Sequence, residues 1–273
     1  MEKAARDGIL KYGEHLADLS VLDDTKITVS CDFPILPAVD VKPKEFIAEE
    51  AGLKRVRAGG DTDDVAIHFF APDYRLDAIW NKIWSGYVAR YCPVDFWDSI
   101  AYIKGRAGAK DYQQRKWDIF DKYMDELKRF EILCSPDHSV YGDWCTPNNI
   151  CDVWRNRVIG GLFVKEGFTV IPTISWAGER THEYAFLGVE PGGTYATSCI
   201  GCNRRDEYGR NAALDDYRSG IEVMVEKLHP ARIIVYGSKA LPDANYGNAD
   251  VMFFTNKDSE KANEALKRRR ENA

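Results

Sequence analysis

The chain has 273 residues, 45% hydrophobic and 29% charged, and its 37 basic and 43 acidic residues give a formal net charge of −6. This composition excludes a disordered, collagen-like or low-complexity protein, and the length suffices for one large domain or two small ones. The acidic balance argues against a broad phosphate-binding surface, although it is compatible with a local basic cleft.

The first 64 residues are predicted to form an irregular lead-in that packs on the core. A polar helix over about 2–19 precedes a short strand at 27–31, and the proline-rich stretch 32–37 then interrupts regular structure. The apolar run 65–70 is short and bounded by turn residues, which is typical of a buried strand. We expect a single α/β domain over 65–273, with a polar, mostly helical insertion at about 93–129.

Strands and helices alternate from about residue 130 onward. The predicted strands are 131–134, 168–174, 194–199, 232–236 and 251–254, and the predicted helices are 147–166, 212–228 and a charged one from 258. Alternation at this spacing predicts right-handed crossovers and a mainly parallel sheet. We expect a (β/α)-barrel-like fold that is incomplete or distorted by insertions, with a doubly wound open sheet as the alternative.

The sequence contains no membrane-span pattern and no export signal. The first residues lack an apolar segment, and no apolar run approaches the roughly 20 residues that a spanning helix requires. Seven irregularly spaced cysteines favour reduced thiols over a disulfide framework. We therefore expect a cytoplasmic protein without a membrane partner.

The familiar cofactor motifs are missing. The sequence contains no phosphate-binding loop ending in Gly-Lys-Ser/Thr, no Gly-x-Gly-x-x-Gly after a strand, no Gly-x-Ser-x-Gly elbow and no His-Glu-x-x-His. This disfavours an NTPase, a dinucleotide enzyme, a serine hydrolase and a zinc protease of the usual types. The sequence therefore leaves the cofactor unknown.

Polar side chains follow the carboxyl ends of the predicted strands, where parallel α/β folds place their chemistry. Asp137 comes after the strand that ends at Cys134, and a partly desolvated carboxylate there can act as a general base or nucleophile. Glu179, after the next strand, is the second candidate catalytic carboxylate. The structural alternatives are an Asx turn at Asp137 and a helix's first turn at Glu179, where negative charge is favoured.

Further residues near the same strand ends are predicted to bind a ligand. Trp176 and Tyr236 would form stacking walls, although aromatic residues more commonly build a core, and Arg180 would hold an anion. The remaining predicted ligand contacts are Tyr141, Cys202 and Gly237.

Arg157 is singled out by its phase on the predicted helix 147–166. It falls on the apolar stripe formed by Ile150, Val153, Trp154, Val158, Gly161 and Leu162. An inward arginine must find a partner because an unpaired buried charge is very costly, so a structural salt bridge and a ligand anion are the two alternatives. Arg155 and Asn156 lie off that stripe and are expected to face solvent.

Cys199 and Cys202 have the C-x-x-C spacing of a zinc half-site or a redox pair. No second C-x-x-C accompanies them, so the other ligands of a zinc ion would have to come from scattered cysteines and histidines. The spacing keeps zinc as an alternative, but we assign no metal-binding residue.

A set of segments in fixed order resembles a known family. The segments are Cys134–Tyr141, Trp154–Gly160, Val170–Trp176, Glu179–Thr181, Gly193-Thr194, Gly201-Cys202 and Ile233–Gly237. They resemble the domain-of-unknown-function 4417 family over about residues 65–255. The resemblance implies a protein carried by phages, plasmids or other mobile elements, and it implies no reaction. The insertion at 93–129 and Cys199 depart from the family pattern, which disfavours a C-x-x-C zinc site.

The residues support three functions. The first is an enzyme acting on a nucleotide, a nucleic-acid base or another anionic metabolite, with Asp137 as base or nucleophile and Glu179 as a second acid/base group. The second is a non-catalytic binder that sequesters a ligand or blocks a host defence protein. The third is a nucleic-acid-binding replication accessory, which predicts steeply salt-dependent DNA binding.

Overall fold

The computed structural model describes residues 33–48, 62–68, 70–71, 121–142, 144–202, 207–237 and 240–255. Several sequence predictions fall outside the described residues: the helix at 2–19, the strand at 27–31, the insertion between 93 and 120, and the charged helix from 258.

Short strands and two long helices make up most of the described chain. The strands are β1 (Glu45–Ala48), β2 (Val65–His68), β3 (Phe70–Ala71), β4 (Ile132–Cys134), β5 (Asp137–His138), β6 (Thr169–Ile171), β7 (Thr194–Ser198), β8 (Arg232–Gly237) and β9 (Asp250–Thr255). The helices are α1 (121–127), α2 (Thr146–Lys165) and α3 (Glu207–Leu228), and single 3-10 turns span Glu179–Thr181 and Ile200–Cys202.

The strands pair in parallel throughout. One sheet has the order β1-β2-β4-β6, a second has the order β7-β8-β9, and β3 pairs with β5. Each of these six pairings is parallel, which confirms the predicted α/β class with a mainly parallel sheet and strand–helix alternation. No ladder joins β1 to β9 among the described strands, so these strands do not close into a hydrogen-bonded barrel.

The two larger sheets meet just beyond the end of β6. Thr173 and Ala196 form a parallel bridge, in which the Ile174 amide donates to the Ala196 carbonyl at 2.8 Å and the Ala196 amide donates to the Pro172 carbonyl at 2.9 Å. The segment after β6 therefore lies between the sheets, and its polar side chains are brought close to the end of β4.

Helix α2 begins and ends close to the predicted positions. Its N-cap is Cys145, without a side-chain cap, so Thr146 is the first helical residue and Pro147 lies in the first turn, where its missing N–H costs nothing. The helix ends before Gly167, whose φ of +93° is readily adopted only by a residue without a Cβ.

Alternating strand residues divide among separate apolar clusters. On β1, Ile47 packs with side chains from α1 and α2, whereas its neighbour Phe46 packs with residues from the other strands. Helix α3 covers β7, β8 and β9 with an apolar face, on which Tyr217, Ile221 and Leu228 are buried. No helix in the described ranges is long and apolar enough to cross a membrane.

Candidate functional site

Arg157 is the largest fully buried side chain of the described residues, with 1% of its surface exposed. Its Nε donates to the Leu187 carbonyl at 2.8 Å, and its Nη2 donates to the Ala185 carbonyl at 2.8 Å. Its Nη1 donates to the Thr173 carbonyl at 3.0 Å and to Oδ1 of Asn156. The predicted inward position is confirmed, but every described partner is neutral rather than the carboxylate expected of a structural salt bridge.

The charge of Arg157 is retained at neutral pH. Burial lowers the pKa of its guanidinium to about 9, which is still two units above neutrality. A buried cation without an anionic partner is unfavourable unless strong dipoles or an anion compensate it. The three backbone carbonyls supply part of that compensation.

Asn156 connects Arg157 to the ends of two strands. Its Oδ1 accepts from Ser135 Oγ at 2.9 Å, and its Nδ2 donates to the carbonyls of Pro136 and Thr173. The Thr173 amide in turn donates to Ser135 Oγ at 2.7 Å. Asn156 is therefore buried, and the expectation that it faces solvent is wrong, because α2 packs against both the sheet and the 173–188 segment and so buries more than its apolar stripe.

The segment after the Glu179–Thr181 turn wraps closely around the Arg157 stem. A Cβ added at Gly188, whose φ is +73°, would lie 2.9 Å from Arg157 Cγ and 3.0 Å from the Pro34 carbonyl oxygen. Only glycine adopts this backbone conformation and also leaves that space. This close approach brings the carbonyls of Ala185 and Leu187 within reach of the guanidinium.

A small cleft opens beside this polar network. It is lined by His138, Val140, Val153, Asn156, Arg157, Thr173, Ser175 and Ala185. Its volume is about 10 Å³, and a cavity of that size takes roughly one water molecule. Thr173 is 1% exposed and lines the cleft, and its Oγ1 has no hydrogen-bond partner among the described residues.

Asp137 lies at the rim of the same region. Ser175 Oγ donates to Asp137 Oδ1, and this hydrogen bond joins the segment that follows β4 to the segment that follows β6. Asp137 is half-buried, and β5, to which it belongs, pairs with β3. A carboxylate held in one geometry by a hydroxyl donor is suited to general-base or nucleophilic chemistry.

His138 also lines the cleft and is neutral. Burial, together with the nearby Arg155 cation, lowers the pKa of its imidazole to about 3, although the Asp137 carboxylate raises it in part. Its Nδ1 is 3.8 Å from Asp152 Oδ1, and that carboxylate also pairs with Arg155 at 3.1 Å. At neutral pH His138 can therefore supply one ring N–H and one acceptor nitrogen, but no charge.

The other predicted residues of the strand-end loops lie apart from this cleft's lining. Glu179 and Arg180 are exposed, and Arg180 Nη2 donates to Thr146 Oγ1 at 3.3 Å. Trp176 is half-buried: its ring stacks on Phe186 at 6.0 Å, and its Nε1 donates to the Asp216 carbonyl at 3.1 Å.

Tyr141 and Tyr236 occupy different surroundings. The backbone of Tyr141 exchanges two hydrogen bonds with the buried Asn149 side chain, and its ring lies 4.4 Å from that of Trp144. Tyr236 is 1% exposed and packs 5.6 Å from Phe46 inside an apolar cluster, so a stacking role would require that cluster to open.

The C-x-x-C pair is buried next to the strand end at Gly237. Cys199 and Cys202 are free thiols, and burial raises their pKa values to about 11 and about 12. A Cβ at Gly237 would lie 2.4 Å from Cys199 Sγ, so glycine is required there. Among the described residues no group of three or more metal-ligating side chains is suitably arranged.

Sequence reasoning missed Ser135, Asn156, Thr173 and Ser175 as members of the polar cluster. Ser135 and Ser175 directly follow predicted strands, and this position at a strand end is the sequence signal that could have identified them as site residues. Thr173 lies within the predicted strand 168–174, whereas β6 ends at Ile171 and leaves Thr173 in the connection. No sequence signal identified Asn156 as a buried residue, because an apolar stripe shows only where apolar side chains are buried and gives no information on buried polar side chains.

Comparison with known proteins gives a consistent family assignment. A family model described as a domain of unknown function (DUF4417) matches residues 109–254, which is more than half of the chain. The Gene 1 protein of Mycobacterium phage L5 is 22% identical over 203 residues, covering 72% of this chain and 69% of the phage protein. The Gene 1 protein of Mycobacterium phage D29 is 20% identical over 203 residues, and the match spans only 59% of its length.

Proposed function

The chain belongs to the DUF4417 family, and from that premise we propose that it is an enzyme acting on a nucleotide, a nucleic-acid base or another anionic metabolite through the Asp137 carboxylate. The observation that carries this proposal is the hydrogen bond from Ser175 Oγ to Asp137 Oδ1. It joins two segments that are 38 residues apart in sequence, at the carboxyl-terminal side of parallel strands. Chemistry is concentrated there in parallel α/β folds.

In this mechanism Asp137 accepts a proton or attacks as a nucleophile, and Ser175 keeps one carboxylate oxygen in place. A fixed carboxylate reacts faster than a freely rotating one because it loses less entropy when it is oriented for the reaction. The adjacent cleft supports an anionic substrate, because the buried cation Arg157 is among its lining residues. Glu179 as a second acid/base group, and Tyr141, Trp176, Arg180, Cys202, Tyr236 and Gly237 as ligand contacts, belong to the same proposal.

The test uses purified protein and a panel of ribo- and deoxyribonucleoside mono-, di- and triphosphates and free bases, with products separated by liquid chromatography and mass spectrometry. We expect one class of compound to be consumed by the wild type and by Glu183→Gln, a carboxylate-to-amide control at an exposed position outside the cleft lining. Asp137→Asn should reduce turnover by ~100-fold or more, in line with the usual contribution of a general base. Its affinity for the same compound should be unchanged.

Other outcomes separate the alternatives. Native mass spectrometry of the wild type that shows a retained compound, together with no consumption of it, would favour a sequestering protein over an enzyme. Turnover by Asp137→Asn at the wild-type rate would contradict the assignment of the carboxylate.

We also propose that the described strands curve in the manner of a (β/α) barrel. Phe46 of β1 and Phe254 of β9, the first and last strands, have ring centroids 5.7 Å apart. Both belong to one apolar cluster, which also takes side chains from β2, β4, β6, β7 and β8. An interior shared by the first and last strands and by the strands between them is typical of barrels, whereas an open sheet separates its edge strands. The two described side chains of β5 do not belong to this cluster.

A further inference from the structure

We infer that the cleft beside Arg157 is a subsite for one oxygen of an oxyanion, held by Arg157 and the Thr173 hydroxyl. The inference deepens the proposed function and rests on it, because the anion held here would be the charged group of the substrate on which Asp137 acts. It assigns Thr173, a residue without a role in the sequence-based prediction, as a binding residue.

The first argument is the unbalanced charge of Arg157. Its four hydrogen bonds to described residues use four of the five guanidinium N–H groups, and all four acceptors are neutral. Asp152, the buried acid on the same helix, pairs with Arg155 instead. A buried guanidinium that keeps one N–H unused and has no carboxylate partner in the described chain has both the charge and a donor to offer an anion.

The second argument is the Thr173 hydroxyl. Its side chain is 1% exposed, it lines the same cleft as Arg157, and Oγ1 has no partner among the described residues. A buried hydroxyl that makes no hydrogen bond is unfavourable, and such groups in proteins usually have a reason in water, ion or ligand binding. An anion oxygen in the cleft would accept from Thr173 Oγ1 and from the guanidinium at once.

The third argument is the size of the cleft. A cavity of about 10 Å³ takes a single oxygen atom, not a base or a sugar. The cleft therefore fits one oxygen of a phosphate or carboxylate group whose remainder lies outside it. Ser175, which lines the cleft, donates to Asp137 and so connects the two. Neutral His138 lines the cleft as well and adds no second charge that would favour a dianion at the bottom.

The experiment compares the wild type with two variants at Thr173. Thr173→Val removes the hydroxyl and keeps the shape of the side chain. Thr173→Ser keeps the hydroxyl and removes the methyl group. Inorganic phosphate or acetate is titrated at constant ionic strength with chloride as the balance. Binding is read from the rise in thermal unfolding temperature by tryptophan fluorescence and from equilibrium dialysis of radiolabelled phosphate. Asp137→Asn is included as a binding-competent variant.

We expect phosphate to stabilise the wild type, Thr173→Ser and Asp137→Asn, and to bind Thr173→Val at least tenfold more weakly. Without phosphate, Thr173→Val should unfold at the wild-type temperature or above, because the variant lacks the unsatisfied hydroxyl. The same pattern with acetate alone would assign a carboxylate group to the subsite.

Absence of any anion effect on the wild type would overturn the inference and leave a water molecule as the occupant. An equal effect on Thr173→Val would overturn it too, since binding would then lie elsewhere. If Thr173→Val does not fold, Thr173→Ala makes the same comparison. The test measures binding alone, so a failure of catalysis at Asp137 would not produce these results.

Discussion

Replacing Arg157 tests whether its hydrogen bonds to backbone carbonyls stabilise the folded protein. Arg157→Met is expected to lower the free energy of unfolding by about 2 kcal/mol, and Arg157→Ala by about 4 to 5 kcal/mol. Arg157→Met should fold, because domains of this size commonly have a free energy of unfolding of ~5–15 kcal/mol, and Arg157→Ala folds unless the wild type lies at the low end of that range. The larger loss in the alanine variant would show that packing of the aliphatic stem of Arg157 stabilises the fold in addition to the hydrogen bonds of its guanidinium.

The magnitude follows from the partners that remain. The Thr173 carbonyl keeps its bond from Asn156 Nδ2 at 3.1 Å, whereas the Ala185 and Leu187 carbonyls lose the donors that Arg157 supplies. One buried acceptor and one part-buried acceptor without donors cost about 2 to 6 kcal/mol together, and removing a buried charge returns a few kcal/mol of desolvation. Methionine still fills the space beside Gly188, while alanine leaves a cavity that adds about 2 to 3 kcal/mol.

Urea unfolding followed by tryptophan fluorescence measures these differences. Arg157→Lys separates charge from geometry, since lysine keeps the charge but not the planar fork, and we expect it to recover less than half of the loss. A methionine variant within about 0.5 kcal/mol of the wild type would refute the contribution of the carbonyl bonds. Equal losses for methionine and alanine would refute the packing contribution.

Two further predictions concern glycine packing and pH. Gly220→Ala should destabilise by at least ~2 kcal/mol and shift the fluorescence spectrum, because its Cβ would lie 1.9 Å from Trp176 Nε1. Gly161→Ala, the matched helical control, meets its nearest side chain at 3.8 Å and should stabilise by ~0.5–1 kcal/mol; a destabilised Gly161→Ala would contradict the packing argument. With the folded-state pKa of His138 lowered to about 3, only the unfolded chain takes up that proton between pH 6.5 and 3. Stability should therefore fall with pH from about 6.5 downward, by ~1.4 kcal/mol per unit at most, and more in the wild type than in His138→Gln. Identical urea-unfolding profiles for wild type and His138→Gln at pH 7 and 5 would refute this.

The sequence alone was sufficient for the parallel α/β class and for several elements within it. Helix α2 and strands β7, β8 and β9 lie within a few residues of their predicted bounds, because hydrophobic periodicity and turn residues act locally. Helix α3 starts five residues before its predicted start at 212, and β1 was not predicted at all. Both differences involve short or polar segments, in which the apolar pattern is weak and tertiary pairing determines the element.

The inward position of Arg157 was also predictable, since it depends only on the phase of one helix. Its partners were not predictable, because the Ala185 and Leu187 carbonyls are 28 and 30 residues away and reach it through the wrapped segment at Gly188. Sequence spacing defines which residues share a face of one element, whereas contacts between elements depend on register and loop path. The pairing of Asp137 with Ser175, and the cleft between Arg157 and Thr173, arise only when β4, β6 and α2 pack together.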